Sequence, residues 1–208
     1  MRRRLIAASV ALSAMSAPAI AQGDRLPSPA GSAATQVGGK YLKSQEGPVY
    51  QGGKWIEITY SRPIKRGRDL FGSGANYGKT LYDGAPVWRA GANVSTRLKT
   101  EVPLVIGNKT LPVGEYSLFI DLKQANWTFI VSSWPAQTQF DPDDTKALWG
   151  AFGYTPDKDV VRAPMKLDTL PFSVDQLSWD FVDMTDAGGK LAIMWDKTMA
   201  SVPFKVGS

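Results

Sequence analysis

Apolar and polar residues alternate with a period of two through most of the chain. In Trp55-Ile56-Glu57-Ile58-Thr59-Tyr60, the residues Ile56, Ile58 and Tyr60 share one face. Tyr116, Leu118, Ile120 and Leu122 share another, and Trp127, Phe129 and Val131 follow. Leu177, Trp179 and Phe181 repeat the pattern, then Leu191, Ile193 and Trp195, and Val202, Phe204 and Val206 close the chain. Side chains of an extended strand point to opposite faces in turn, so each run predicts a half-buried strand. Val102 to Ile106, a Gly107-Asn108 turn and Lys109 to Leu111 predict a hairpin, with Pro103 arguing for an edge. Arg97 to Thr100 is a short polar run expected at an edge. Thr185 to Gly189 reads as a turn between two strands. Helical spacing is scarce: only Asp141 to Gly150 resembles a helix, with Asp141 or Asp143 as its cap. About eight short strands with few helices predict a mainly β chain, an antiparallel β-sandwich of jelly-roll-like type with at most one or two short helices.

Address and organisation come from the first residues. Arg2-Arg3-Arg4 precede an apolar run from Leu5 to about Met15, and Ala19-Ile20-Ala21 supplies small residues at a cleavage site. This is the layout of a signal peptide over residues 1–21, with an apolar run too short to span a bilayer. The mature chain is expected to be exported, periplasmic or secreted, with no integral membrane span. Residues 22–34, rich in Pro, Gly, Ser and Ala, are expected to be a flexible N-terminal segment. Residues 35–208 are expected to form a single domain.

Composition then narrows the chemistry. The formal charge is +5, but loss of the three leader arginines lowers it to about +2, which gives no support to nucleic-acid binding. The 208 residues contain no cysteine and no histidine. Disulfides, Ser-His-Asp and Cys-His nucleophile systems, and zinc sites built on Cys or His are therefore excluded. A general base would have to be Asp, Glu, Lys or Tyr. No cofactor and no metal are expected; Asp141, Asp143 and Asp144 lack calcium-loop spacing and read as a solvated turn.

Two dense polar stretches interrupt the strands. The first runs from Tyr60-Ser61-Arg62-Pro63 to Gly67-Arg68-Asp69-Leu70-Phe71-Gly72, the second is Trp88-Arg89-Ala90-Gly91-Ala92-Asn93 with Thr96. Together with Leu111-Pro112-Val113-Gly114-Glu115-Tyr116-Ser117-Leu118, Trp127-Thr128 and Asp159-Val160-Val161-Arg162, in this order, they resemble an exported bacterial family, domain of unknown function twenty-nine-eleven. The resemblance covers nearly the whole mature chain. It implies a β-sandwich in a bacterial, exported setting and supplies no activity. The family commonly has an acidic residue after its Gly-Ala-Asn triplet, where this chain has Val94.

The arginine forks match carboxylate, phosphate or sulfate in a bidentate way. The expected site is a ligand-binding surface for a small anionic or glycan-like molecule. Arg62, Arg68 and Arg89 would give charge, Trp88 and Tyr60 a wall, and Asn93 a polar contact. In the alternative, these arginines tie loops to carbonyls and to acids such as Glu57, Asp69 and Asp83, Trp88 is a core residue, and Asn93 shapes a turn. Whether the chain is an enzyme stays open. A histidine-independent hydrolase using Asp or Glu, and a structural or protein-interaction domain, are the other readings. Trp55, Trp127, Trp179 and Trp195 are expected in the core, Trp134 and Trp149 half exposed.

Overall fold

The computed structural model describes residues 27–207, so the expected signal peptide lies outside the described residues. The alternating runs become strands: β1 (Ala30–Val37), β2 (Lys40–Ser44), β3 (Gly47–Gln51), β4 (Lys54–Ser61), β5 (Thr96–Thr100) and β6 (Leu104–Ile106). They continue as β7 (Lys109–Leu111), β8 (Gly114–Lys123), β9 (Asn126–Ser132), β10 (Asp159–Pro164), β11 (Lys166–Thr185) and β12 (Gly188–Val206). One turn of helix, α1 (Lys79–Tyr82), joins them. The chain is mainly β, as expected, and its strand pairs are antiparallel.

One sheet has the order β1-β4-β5-β8-β9-β10, a second β11-β12-β6-β7, and β2-β3 form a separate hairpin. Ile56, Ile58, Leu98, Leu118, Ile120 and Phe129 of the first sheet join Trp179, Leu191, Ile193, Trp195 and Phe204 of the second in one buried cluster. Removal of this apolar area from water is the main favourable term holding the sheets together. β11 and β12 are far longer than the expected strands. Register shifts near Val174 and Ser178, and positive φ at Asp183 and Asp196, let this long ribbon bend.

Several expectations are corrected. Residues 30–34 of the expected flexible segment belong to β1, which pairs with β4 from Ala30↔Ser61 to Val37↔Lys54. Arg97 to Thr100 is no edge: β5 lies between β4 and β8. Arg97 and Lys99 point to the outer face, and polarity there says nothing about backbone pairing. Pro103 precedes β6, which is itself interior, while β7 takes the edge. Asp141 to Gly150 is not helical. The buried Gln137 organises it instead: the two Nε2 hydrogens are shared among the carbonyls of Asp141, Asp144 and Ala147, and Oε1 accepts from Asp141 N–H. One amide thus does the work of helical hydrogen bonds. Asp141 and Asp144 cap turns in this loop by accepting from the backbone of Asp143 and of Lys146. Trp55 is 49% exposed and outside the core. Trp127, Trp179 and Trp195 are buried, and Trp134 and Trp149 are intermediate, as expected.

The outer face of the first sheet is covered unevenly. Phe119 and Ile130 pair across β8 and β9 and are buried under Ala85, Val87, Leu148, Ala151 and Tyr154. The loops before β5 and between β9 and β10 therefore form a lid over β8–β9. The outer face of β4–β5 is left open.

Candidate functional site

The first polar stretch begins where β4 ends. Tyr60 points inward, is buried, and its hydroxyl donates to the Trp179 carbonyl at 3.4 Å. Arg62 donates from Nε to the Leu177 carbonyl, while Gln176 Nε2 donates to the Arg62 carbonyl. The loop is thereby zipped onto β11, with further backbone bonds from Lys65 to Asp175 and from Leu177 to Pro63. Lys65 Nζ also meets Asp196 Oδ1 at 2.6 Å. Arg66 and Gly67 both take positive φ and turn the chain back. That turn lets the exposed Arg68 donate to the carbonyls of Ile64 and Lys65 and lie 5.9 Å over the Trp195 ring.

The second stretch is buried more deeply. Trp88 exchanges both backbone hydrogen bonds with Ile120, which makes it a one-residue extension of the first sheet. Its ring is 1% exposed, stacks on Trp195 at 6.1 Å and meets Trp127 edge-on. Its indole N–H donates to the Gly91 carbonyl. Ala90 and Asn93 both have positive φ, so the loop doubles back twice. Thr96 Oγ1 and Trp179 Nε1 both donate to the Ala90 carbonyl, and Asn93 Nδ2 to that of Ser28. A Cβ on Gly91 would stand 3.1 Å from the Ser61 carbonyl oxygen, so the two polar stretches touch there.

Arg89 is the buried cation of this loop. Its side chain is 10% exposed, and Asp83, 71% exposed, faces Nη2 at 3.3 Å. Nη1 donates to the Asn93 carbonyl at 3.0 Å. The Phe152 ring lies 5.3 Å from the guanidinium carbon, and Gly150 packs against the guanidinium from the loop between β9 and β10. Burial pushes the Arg89 pKa down, and Asp83 opposes that shift. The counter-charge therefore comes from Asp83 and not from position 94, where Val94 stands. Ser95, fully buried, donates to the Gly150 carbonyl at 2.5 Å, with the Leu148 carbonyl at 3.3 Å, and ties the two loops together.

These loops enclose an open cleft of about 380 Å³. Arg68, Arg89, Asn93 and Trp88 line it, so four of the six expected site residues come together, but Trp88 is buried in the core and does not form the expected wall. Tyr60 and Arg62 do not line it; both serve the seam between the sheets. Trp149 and the exposed Phe152 form an apolar wall that the sequence reading missed. No local signal could have found them, because the contact joins loops some sixty residues apart. Among the described residues, Asp83 is the one carboxylate lining the cleft.

A second charged cluster lies at Asp159-Val160-Val161-Arg162. Asp159 Oδ2 accepts from the Tyr154 hydroxyl at 2.6 Å and from Arg162 Nη1 at 2.7 Å, and Oδ1 is buried without a partner. Arg162 also reaches Asp121 at 3.6 Å, and Asp121 Oδ1 accepts from the Tyr82 hydroxyl. Burial pushes Tyr82 up from 10.0 to about 12 and raises Tyr154 as well, with the nearby carboxylates adding to both. A folded pKa above the unfolded one means that the contribution is whole below pH 10.0 and is lost as pH rises through about 12. The denaturant midpoint should therefore fall across this window, and Tyr82→Phe should flatten the slope. A midpoint that stays level from pH 10.0 to 12 would remove this account.

Among the described residues no helix is long and apolar enough to cross a membrane, and no group of three or more His, Cys, Asp or Glu is placed to hold a metal ion. No curated protein and no solved structure matches the chain. One family does: residues 44–204, from the last residue of β2 to Phe204 in β12, match its sequence model and include both arginine loops, the Gly150 loop and the Asp159 cluster. The chain belongs to the family described as Protein of unknown function (DUF2911).

Proposed function

We propose that the chain is an exported binding module for a small organic anion, seated in the cleft between the two arginine loops. The observation that carries this reading is the convergence of Arg68 and Arg89 on one open cleft, where Asp83, mostly exposed and paired with Arg89 alone, is the lining carboxylate among the described residues. The two carbonyls that hold Arg68, and the Asn93 carbonyl and Asp83 carboxylate that hold Arg89, take only part of the five donors of each guanidinium. The remaining donors suit a carboxylate, phosphate or sulfate group. Phe152 and Trp149 offer a face to the apolar body of such a ligand, and a charged sugar meets both requirements. The exported setting rests on the leader-like residues 1–21. A hydrolase acting through two facing carboxylates draws no support from this cleft, which offers Asp83 alone among the described residues.

The test is thermal unfolding of residues 22–208 against phosphate, sulfate, small carboxylates and charged sugars, beside Arg68→Ala. Arg68 is exposed and its carbonyl bonds are local, so its loss should cost about 1 kcal/mol. A ligand at about 100 times its Kd should stabilise the parent by about 2.7 kcal/mol. The same ligand should shift Arg68→Ala far less. A panel that moves neither midpoint, or moves both equally, would send the search to another surface.

A further inference from the structure

The open half of the outer sheet face carries a second set of free chemical groups, remote in kind from the arginine cleft. Trp55, Glu57 and Thr59 point outward from β4, Arg97 and Lys99 from β5, and Glu115 from β8. Glu101, just beyond β5, fixes Trp55 in place. Its Oε2 accepts from the Trp55 backbone N–H at 2.9 Å, and its own N–H donates to the Trp55 carbonyl. Two depressions of about 330 and 190 Å³ share Glu57 and Lys99 and so form one groove across the strands.

Trp55 is the outlier among the seven tryptophans. Trp88, Trp127, Trp179 and Trp195 are buried. Trp134 holds Lys158 over its ring, and Trp149 meets Phe140. Trp55 is half exposed, has no aromatic or cationic partner, and its indole N–H donates to no protein acceptor among the described residues. Two of the charges beside it, Glu57 and Lys99, are also unspent among the described residues. Lys99 stands between Glu57 and Glu115 in register, yet Glu115 pairs with Arg97 at 3.5 Å, and neither Glu57 nor Lys99 forms an ion pair among the described residues.

We propose that this groove binds a neutral oligosaccharide, with one sugar ring laid on Trp55. Three carboxylates interleaved with two cations repel any ligand of a single sign. Hydroxyl groups suit the mixture, because each donates to a carboxylate and accepts from Lys99 or Arg97. The flat indole covers the C–H face of a ring, which a peptide or a small anion does not present so evenly. An extended strand face accommodates a chain of rings. This reading is independent of the arginine cleft.

The experiment uses the mature chain, residues 22–208, carrying nitrogen-labelled tryptophan. Indole resonances are followed during titration with cellohexaose, xylohexaose, chitohexaose and mannohexaose. At least one should shift the Trp55 signal saturably at micromolar to millimolar concentration. Trp55→Ala should weaken binding by about tenfold or more. Glu57→Gln and Lys99→Met, both exchanges of outward strand residues, should weaken it separately while Arg68→Ala leaves it unchanged. The proposal is overturned if none of the four sugars moves the Trp55 signal. It is also overturned if Trp55→Ala binds as the parent does, or if Arg68→Ala abolishes binding. A Trp55 signal that moves with protein concentration alone would assign the face to a second copy of the chain and overturn it likewise.

Discussion

Trp88→Ala is expected to lower the unfolding free energy by about 3–5 kcal/mol, the range for removing a large buried aromatic. The ring is enclosed by Trp195 and Trp127 and sits at the join between the first sheet and the second arginine loop. Its removal leaves a cavity that rigid neighbouring indoles cannot close, and Gly91 loses the donor to its carbonyl. At about 2–4 °C per kcal/mol for a chain of this size, the thermal midpoint should fall by roughly 10 °C. Trp55→Ala is the control. Its side chain is half exposed and unpartnered, so its cost should stay near 0.5 kcal/mol or below. Calorimetry of the two variants separates the core tryptophan from the surface one. A loss below about 1 kcal/mol for Trp88→Ala would mean that the ring is not structural and would revive its role as a ligand wall.

Gly150→Ala should cost about 3 kcal/mol, although it adds a single methyl group to a loop. The residue has φ +64°, where a side chain costs about 1–2 kcal/mol. The added Cβ would stand 2.6 Å from Arg89 Nη1 and 2.8 Å from Cζ, so the buried guanidinium must leave its seat. Hydrogen bonds to charged groups, worth about 1.5–3 kcal/mol each, are then strained or lost. In an Arg89→Ala background the same glycine substitution should cost only its backbone term, about 1–2 kcal/mol, because nothing is left to displace. Equal costs in the two backgrounds would show that the glycine and the arginine are not coupled. Gly150→Ala should also lose any stabilisation by ligands of the cleft, through Arg89.

Much of the fold was legible in the alternation. β4, β8, β9 and the two halves of the last ribbon lie where the period of two put them, and Ile56, Ile58 and Tyr60 do face the core. The same alternation also held the correction for Trp55. If Ile56 points inward, its neighbour points outward, and tryptophan's usual preference for the interior is overruled by register. The helix expected at Asp141 to Gly150 failed for a different reason. A short segment is helical only if nothing else satisfies its backbone, and here the buried amide of Gln137 does so.

The candidate site was half legible. The two arginine stretches stood out as polar and glycine-rich between strands, and Arg68, Arg89 and Asn93 do meet at one cleft. The division of labour within them was hidden. Arg62 and Arg89 have the same side chain, but one zips a loop to β11 and the other is sandwiched between Gly150 and Phe152. A residue's type states what bonds it is able to make, and its partners are chosen by chain segments far away in sequence.

Residue order along the chain was therefore enough for the β class, the position of most strands, the apolar set that fills the core, and the chemistries closed to a chain without histidine or cysteine. Those properties depend on local alternation and on composition, and both are complete in the sequence. The meeting of the arginine loops, the wall built by Trp149 and Phe152, the counter-charge from Asp83 and the open groove around Trp55 were decided by the tertiary structure. Each depends on which strand lies beside which, and on which loops cover the sheet. Long-range packing and hydrogen bonding settle those choices together, and no single stretch of the chain contains them.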